Sequence, residues 1–172
     1  MRFGTLDITA PGLFESPWNE AEVLGSAVWL WMHSSAHRNA PLHSLSALLL
    51  PAVKHRQFIL ASEQGKPVFY LSWLNLDAKT QARYLSESPL CIPDADWNSG
   101  ECMWIHDWVA PFGHTRLICR LLQRQLLANR CVRTLYHRGE ERGLRVKTFQ
   151  GIGVMPAEAR AWFAAHPLPV AG

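Results

Sequence analysis

The chain has little of what marks a membrane, secreted or metal-centred protein. No apolar run is long enough to cross a bilayer. The longest near the N-terminus, Val23 to Met32, falls well short of the ~20 residues a spanning helix needs. It also lacks the basic flank and small-residue cleavage site of a secretory signal, so a cytoplasmic location with no transmembrane segment is expected. The four cysteines, Cys91, Cys102, Cys119 and Cys131, form no CxxC pair and match no structural-zinc spacing, which argues against disulfides and against a metal site. Charge is sparse: charged residues make up 18% and the formal net charge is +3. That balance gives no reason to expect nucleic acid, yet it leaves room for a local basic face that meets an acidic partner. Repeats, low-complexity tracts, GxGxxG loops and P-loops are absent as well.

What is present points to one core. The 172 residues are 48% hydrophobic, and the apolar positions are spread along the whole length, so residues 1–172 read as a single domain. Eight tryptophans are many for this length and suit core or interface anchors. Residues 1–18 carry Gly4, Pro11, Gly12 and Pro17 without a period and read as an irregular arm. Ser16 and Pro17 then suggest the cap and first turn of a helix to about Met32. A loop follows, Ser34 to Pro41, and Leu42 to Lys54 is apolar but interrupted by Pro51, leaving helix the weaker reading there.

Gln57 to Ser62 and Pro67 to Trp73 are β-rich runs around Glu63-Gln64-Gly65-Lys66, a hairpin signature. A short helix is expected from Asp77 to Leu85, a loop from Ser86 to Gly100, and a strand from Met103 to Val109. Along that strand Trp104, His106 and Trp108 face one way, and Ile105, Asp107 and Val109 the other. His114 to Asn129 has helical period, with Leu117, Ile118, Leu121, Leu122 and Gln125 marking its buried flank and Arg116, Arg120 and Arg124 a basic ridge. Strands at Cys131 to His137 and Leu144 to Ile152 flank a polar loop, Arg138 to Gly143, and a last helix starts at Pro156 and reaches about Ala165. This order predicts an α/β fold with a mixed central sheet and helices on both faces.

Two residues stand out chemically. His37 sits in a loop where an imidazole can act as a base near neutral pH. Asp107 lies mid-strand among apolar residues, where a carboxylate must find a partner or lose its charge. It could equally serve only to satisfy loop amides. Gly113, before a helix, can serve a tight turn or an anion at the helix N-terminus. The arginine ridge can be a solvated face or a dock for an acidic partner. No cysteine sits in a nucleophile turn, so each reads as a small buried hydrophobe rather than an acyl carrier.

Several tryptophan-containing blocks recur in one order: Leu24-Gly25 with Val28-Trp29-Leu30-Trp31, Ser34 with His37-Arg38-Asn39, Leu50-Pro51-Ala52, Ser72-Trp73-Leu74-Asn75-Leu76, Asp96-Trp97-Asn98-Ser99-Gly100 and Asp107-Trp108-Val109-Ala110-Pro111-Phe112-Gly113. Over about residues 20–130 this series resembles the RTX toxin-activating lysine acyltransferases, the hemolysin C-like family. The resemblance implies a GNAT-like acyltransferase fold, a homodimer, and transfer of a fatty acyl group from acyl carrier protein to internal lysines of an RTX protoxin. It implies a catalytic pair at His37 and Asp107. Ser34, Arg38, Asn39, Gly113, Arg116, Arg120 and Arg124 are then the expected substrate-binding residues. No cofactor is expected to stay bound, the donor being the acyl-phosphopantetheine of acyl carrier protein. Two other readings stay open: a GNAT-like transferase using acyl-CoA on a small amine, and a non-catalytic adaptor that binds acyl carrier protein through the arginine ridge.

Overall fold

The computed structural model of the chain describes residues 1–88, 92–136 and 145–169. The chain divides into two compact units, Met1–Trp73 with Asp107–Ile118, and Leu74–His106 with Cys119–Gly172.

In the first unit a hairpin stands where the sequence reads as an irregular arm. Strands β1 (Arg2–Phe3) and β2 (Leu6–Thr9) turn at Gly4, whose φ of 60° suits glycine. Strand β2 then pairs antiparallel with β3 (Phe58–Glu63), Leu6 opposite Glu63 and Thr9 opposite Leu60. Four residues are too few to announce a strand locally, and the pairing with β3 stabilises it: Leu6 and Ile8 are buried while Asp7 between them is exposed. Strand β4 (Lys66–Leu76) pairs antiparallel with β3 through the expected hairpin. Its turn holds both Gln64 (φ 51°) and Gly65 (φ 78°) in the left-handed region, as a two-residue hairpin turn demands.

Helix α1 (Glu20–His33) begins later than Ser16 implies. Its cap is Asn19, whose side chain accepts from the Glu22 backbone N–H at 3.1 Å. Ser16 Oγ, buried, has no hydrogen-bond partner among the described residues. Val23, Ala27, Leu30 and Trp31 of α1 close over Phe58, Leu60, Tyr70 and Val109 to form this unit's core. The stretch before β3 is helical after all: a π-turn over Leu45–Leu49 leads into α2 (Leu50–Lys54). Pro51 has no N–H to donate, and the wider turn absorbs the break, with the Leu50 N–H bonded back to Leu45.

The second unit contains α3 (Ala78–Ser86), capped by Asp77, which accepts from the Thr80 N–H at 2.8 Å. Within the expected loop before the next strand, Asp94–Trp97 form a 3₁₀ turn that buries Trp97. Strand β5 (Cys102–Val109) runs parallel to β6 (Cys131–Tyr136), Met103 opposite Val132, and β6 pairs antiparallel with β7 (Arg145–Gln150). The predicted loop Arg138 to Gly143, the strand ends His137 and Leu144, and Cys91 lie outside the described residues. Helix α5 (Pro156–Ala165) starts at the expected proline, its first turn closed by the Glu158 carboxylate accepting from the Met155 N–H at 2.9 Å.

The long helix expected over His114 to Asn129 is a shorter one. Helix α4 (Thr115–Leu121) widens into a π-turn over Leu122–Leu126, closed by the Leu127 N–H on the Leu122 carbonyl at 2.8 Å. The change of pitch moves the apolar stripe: Leu121, Leu122 and Leu127 are buried, while Gln125, expected on that flank, is exposed. Antiparallel pairs beside a parallel one, interleaved with helices, make this a mixed α/β protein consistent with the GNAT-like class. No helix among the described residues is long and apolar enough to cross a membrane.

Candidate active site

His37 and Asp107 meet. Helix α1 ends as the Ser34 N–H caps the Trp31 carbonyl, and the chain turns at once, the His37 and Arg38 N–H groups bonding back to Ser34. That turn aims the imidazole at the last third of β5, where Asp107 takes the side facing α1. His37 Nε2 lies 3.0 Å from Asp107 Oδ1, and Ser34 Oγ lies 2.8 Å from His37 Nδ1. Three side chains, two of them three residues apart and the third 70 residues on from His37, therefore form one hydrogen-bonded line.

The carboxylate is held from other directions too. The Trp31 indole N–H donates to Oδ2 at 2.9 Å, and the Trp108 backbone N–H donates to Oδ1 at 2.8 Å. These donors compensate an anion only 12% exposed, while His37 keeps 22% of its side-chain surface open to solvent. The Trp31 ring also packs beside the imidazole, centroids 5.0 Å apart, so one tryptophan fixes both members. Behind them Tyr70 is fully buried. Burial first, and the charge of Asp107 second, push its phenol far above the usual range, a nearby Ser72 hydroxyl offsetting this in part. Tyr70 thus stays neutral, near enough to Asp107 to feel its charge.

The chemistry of the line follows from its donors. An ionised carboxylate can only accept, so Nε2 carries the hydrogen toward Asp107. In the neutral ring Nδ1 is then the acceptor, and the Ser34 hydroxyl donates to it. Nδ1 therefore meets a hydroxyl that can both give and take a proton.

None of the remaining predicted residues has a side chain hydrogen-bonded to this line among the described residues. Arg38 and Asn39 are exposed, and neither side chain makes a hydrogen bond or ion pair among the described residues. Gly113 has φ 84° with open space around its Cα, so the turn itself accounts for the glycine. Arg116, Arg120 and Arg124 are all exposed on α4 and its π-turn. Of the cysteines, Cys102 is buried in β5, and burial pushes its thiol up, away from a nucleophile. Cys119, expected to be buried, is exposed, the side of α4 on which it lies being the polar one. Sequence reasoning missed Trp31 and Trp108 as partners of Asp107. A signal existed in Trp31, since a buried indole N–H needs an acceptor, but nothing local names which one.

The RTX toxin acyltransferase family matches the chain over residues 16–150. A leukotoxin-activating lysine-acyltransferase of Aggregatibacter actinomycetemcomitans is 38% identical over 106 residues, covering 62% of each chain. The RTX-I toxin-activating lysine-acyltransferase of Actinobacillus pleuropneumoniae is 34% identical over 133 residues, 77% of this chain and 76% of its own. A protein-lysine myristoyltransferase of Escherichia coli is 35% identical over 104 residues, 60% of this chain and 59% of its own. The chain spans about six tenths of the length of the leukotoxin-activating relatives it matches.

Proposed function

Because the chain belongs to the RTX toxin acyltransferase family, we propose that it is a cytoplasmic protein-lysine acyltransferase, moving a fatty acyl group from acyl carrier protein to internal lysines of an RTX protoxin. The observation that carries this reading is the hydrogen-bonded line Ser34–His37–Asp107, with the Ser34 hydroxyl at Nδ1 and the Asp107 carboxylate at Nε2.

A lysine amine has a pKa of about 10.4 and is mostly protonated at neutral pH, so only its neutral form attacks, and the attack must shed a proton. The amine nitrogen bonds to the thioester carbonyl carbon, and the carbonyl electron pair moves onto oxygen. The extra proton on nitrogen passes to Nδ1, directly or by way of Ser34, whose hydroxyl takes one proton as it gives another. The imidazolium so formed is held at Nε2 by the charge of Asp107, the role a buried carboxylate plays in a hydrolase triad. Collapse re-forms the carbonyl and breaks the C–S bond. The pair leaves on sulfur, and the proton on His37 goes to the departing thiolate. The products are an amide and a free pantetheine thiol, and the imidazole is neutral again.

A second task for Ser34 is compatible with the line. While His37 is neutral its hydroxyl is engaged on Nδ1. Once Nδ1 carries a proton, Nδ1 donates and the hydroxyl hydrogen turns outward, able to reach the oxyanion when that charge exists.

The test is direct transfer to a peptide bearing one lysine, read by intact mass after mixing with acyl carrier protein loaded with a fatty acid. His37→Ala lowers the rate about 10²- to 10⁴-fold, the usual contribution of a positioned acid–base group. Modification by His37→Ala at the wild-type rate would refute the assignment.

A further inference from the structure

Exposed apolar side chains on a rigid backbone, beside cations with no counter-ion, are unusual on a free surface. The second unit has such a place. From Trp108 to Gly139 the sequence contains no Asp or Glu. Arg120, Arg124 and Arg130 within that stretch are exposed and make no ion pair among the described residues. The loop after β7 is bound to the same segment by three backbone hydrogen bonds. The Gly151 N–H donates to Arg130 at 3.0 Å, Ile152 to Gln123 at 3.0 Å, and Gly153 to Ala128 at 2.9 Å. A β-carbon at Gly151 would lie 2.1 Å from the carbonyl oxygens of both Leu127 and Ala128, so the two segments touch backbone to backbone and only glycine allows it.

This fixture presents Ile152, 68% exposed, and Met155, 63% exposed, on a loop whose backbone is bonded to Arg130 and to Gln123, the neighbour of Arg124. Hydrogen bonding gives no reason for bulky apolar side chains there, since the loop is held by its backbone alone. The adjacent carboxylate, Glu158, is engaged in closing the first turn of α5 and faces the Met155 N–H. An apolar centre with a one-sign rim matches the anatomy of a transient protein interface, where charge steers the encounter and a few buried side chains hold it.

We infer that this face, Arg120, Arg124 and Arg130 around Ile152 and Met155, is the docking surface for a carboxylate-rich helix of the acyl carrier. The carrier's acidic side chains meet the guanidinium groups, and one or two of its apolar side chains cover Ile152 and Met155. This inference rests on the carrier-dependent reaction above. It goes further in placing the apolar half of the contact on the loop after β7 and in giving the π-turn a use. The wider turn leaves Arg124 exposed beside Gln123, whose carbonyl accepts from Ile152.

The test is titration calorimetry of the full chain with acyl-loaded carrier protein at low and raised salt. Two double variants are compared with the wild type, Arg120→Glu with Arg124→Glu, and Ile152→Ser with Met155→Ser. All four side chains are exposed, so melting temperatures match the wild type and confirm folding. Each double variant is expected to weaken carrier binding about tenfold or more, and salt to weaken the wild type. Wild-type affinity in either variant, or no binding by the wild type, overturns the inference. So does binding of the wild type to phosphatidylglycerol vesicles that both variants lose while their carrier affinity is unchanged, which would make this a membrane face. Carrier binding through this face with no lysine modified would sink the transferase reading and leave the docking surface standing. Lysine modification at the wild-type rate by variants that bind carrier normally would do the reverse.

Discussion

Each unit holds a charge largely withdrawn from solvent, Asp107 in the first and Arg133 in the second, and the two are treated in opposite ways. In the first, Asp107 is an anion whose partners include a titratable ring, itself bonded to a rotating hydroxyl. In the second, Arg133 is a cation 2% exposed, whose hydrogen bonds go to groups that do not titrate. Its guanidinium donates to Gln81 Oε1 at 2.7 Å and to the His166 carbonyl, and stacks near Trp104, Trp162 and Phe163 at 5.5 to 5.7 Å. Burial lowers the affinity of Arg133 for its proton, yet a guanidinium starts so high that it remains charged. A buried charge among partners that can change state is poised for chemistry. The same charge among amides, carbonyls and rings is a fastener, here joining β6 to α3 and α5.

That contrast breaks if the two charges respond alike to removal. Asp107→Asn is expected to lower acyl transfer about 10²- to 10⁴-fold, with the melting temperature near that of the wild type, because the amide keeps the shape and still accepts from Trp31. Arg133→Ala gives the opposite pattern. It removes the guanidinium from three rings, Trp162 and Phe163 of α5 and Trp104 of β5, and costs about 2 to 4 kcal/mol of stability by thermal or denaturant unfolding, with transfer per folded molecule unchanged. Loss of transfer in folded Arg133→Ala, or unfolding of Asp107→Asn, would erase the distinction.

A smaller effect sharpens the picture inside the first unit. Trp31→Phe keeps a ring against His37 and the core but deletes the donor to Asp107 Oδ2. The transfer rate is expected to fall about tenfold, the size of one hydrogen bond to a charged group, with KM for the carrier unmoved. An equal fall in stability and rate would make Trp31 a packing residue only.

The smallest separates the units by pH. Asp77 caps α3, and the Thr80 backbone N–H, then the Thr80 hydroxyl, hold its carboxyl below its ordinary value. The folded value lies under the unfolded one of about 3.9, so this stabilisation is complete above that pH and is lost as pH falls through the folded value. Hydrogen exchange of α3 is expected to speed up below about pH 4, and Asp77→Asn to remove that dependence while keeping the cap. An α3 signal that ignores both changes would show the cap to be idle.

How much of this is legible beforehand depends on how local the cause is. The β3–β4 hairpin, the Asp77 cap and the start of α5 at Pro156 follow from residues within one turn of chain, and the sequence is enough to place them. The β1–β2 hairpin depends on β3, some fifty residues away, and reads as coil. Both π-turns are packing decisions: Leu127 rather than Gln125 goes inside, and Pro51 needs a break absorbed. At the site, Asp107 announces itself as a carboxylate in an apolar strand, and His37 follows from the family blocks. What could not be read is direction. Which ring nitrogen faces the carboxylate, and that Ser34 rather than solvent meets the other, depends on where a loop and a strand come together.

One feature of the first unit limits how its charge can behave. Tyr70 stays uncharged near Asp107, and the Trp31 indole N–H holds its Oδ2. Among the described groups bonded to the carboxylate, the imidazole is the one that can take up and release a proton. Whatever sits over His37 therefore governs proton exchange within the pair.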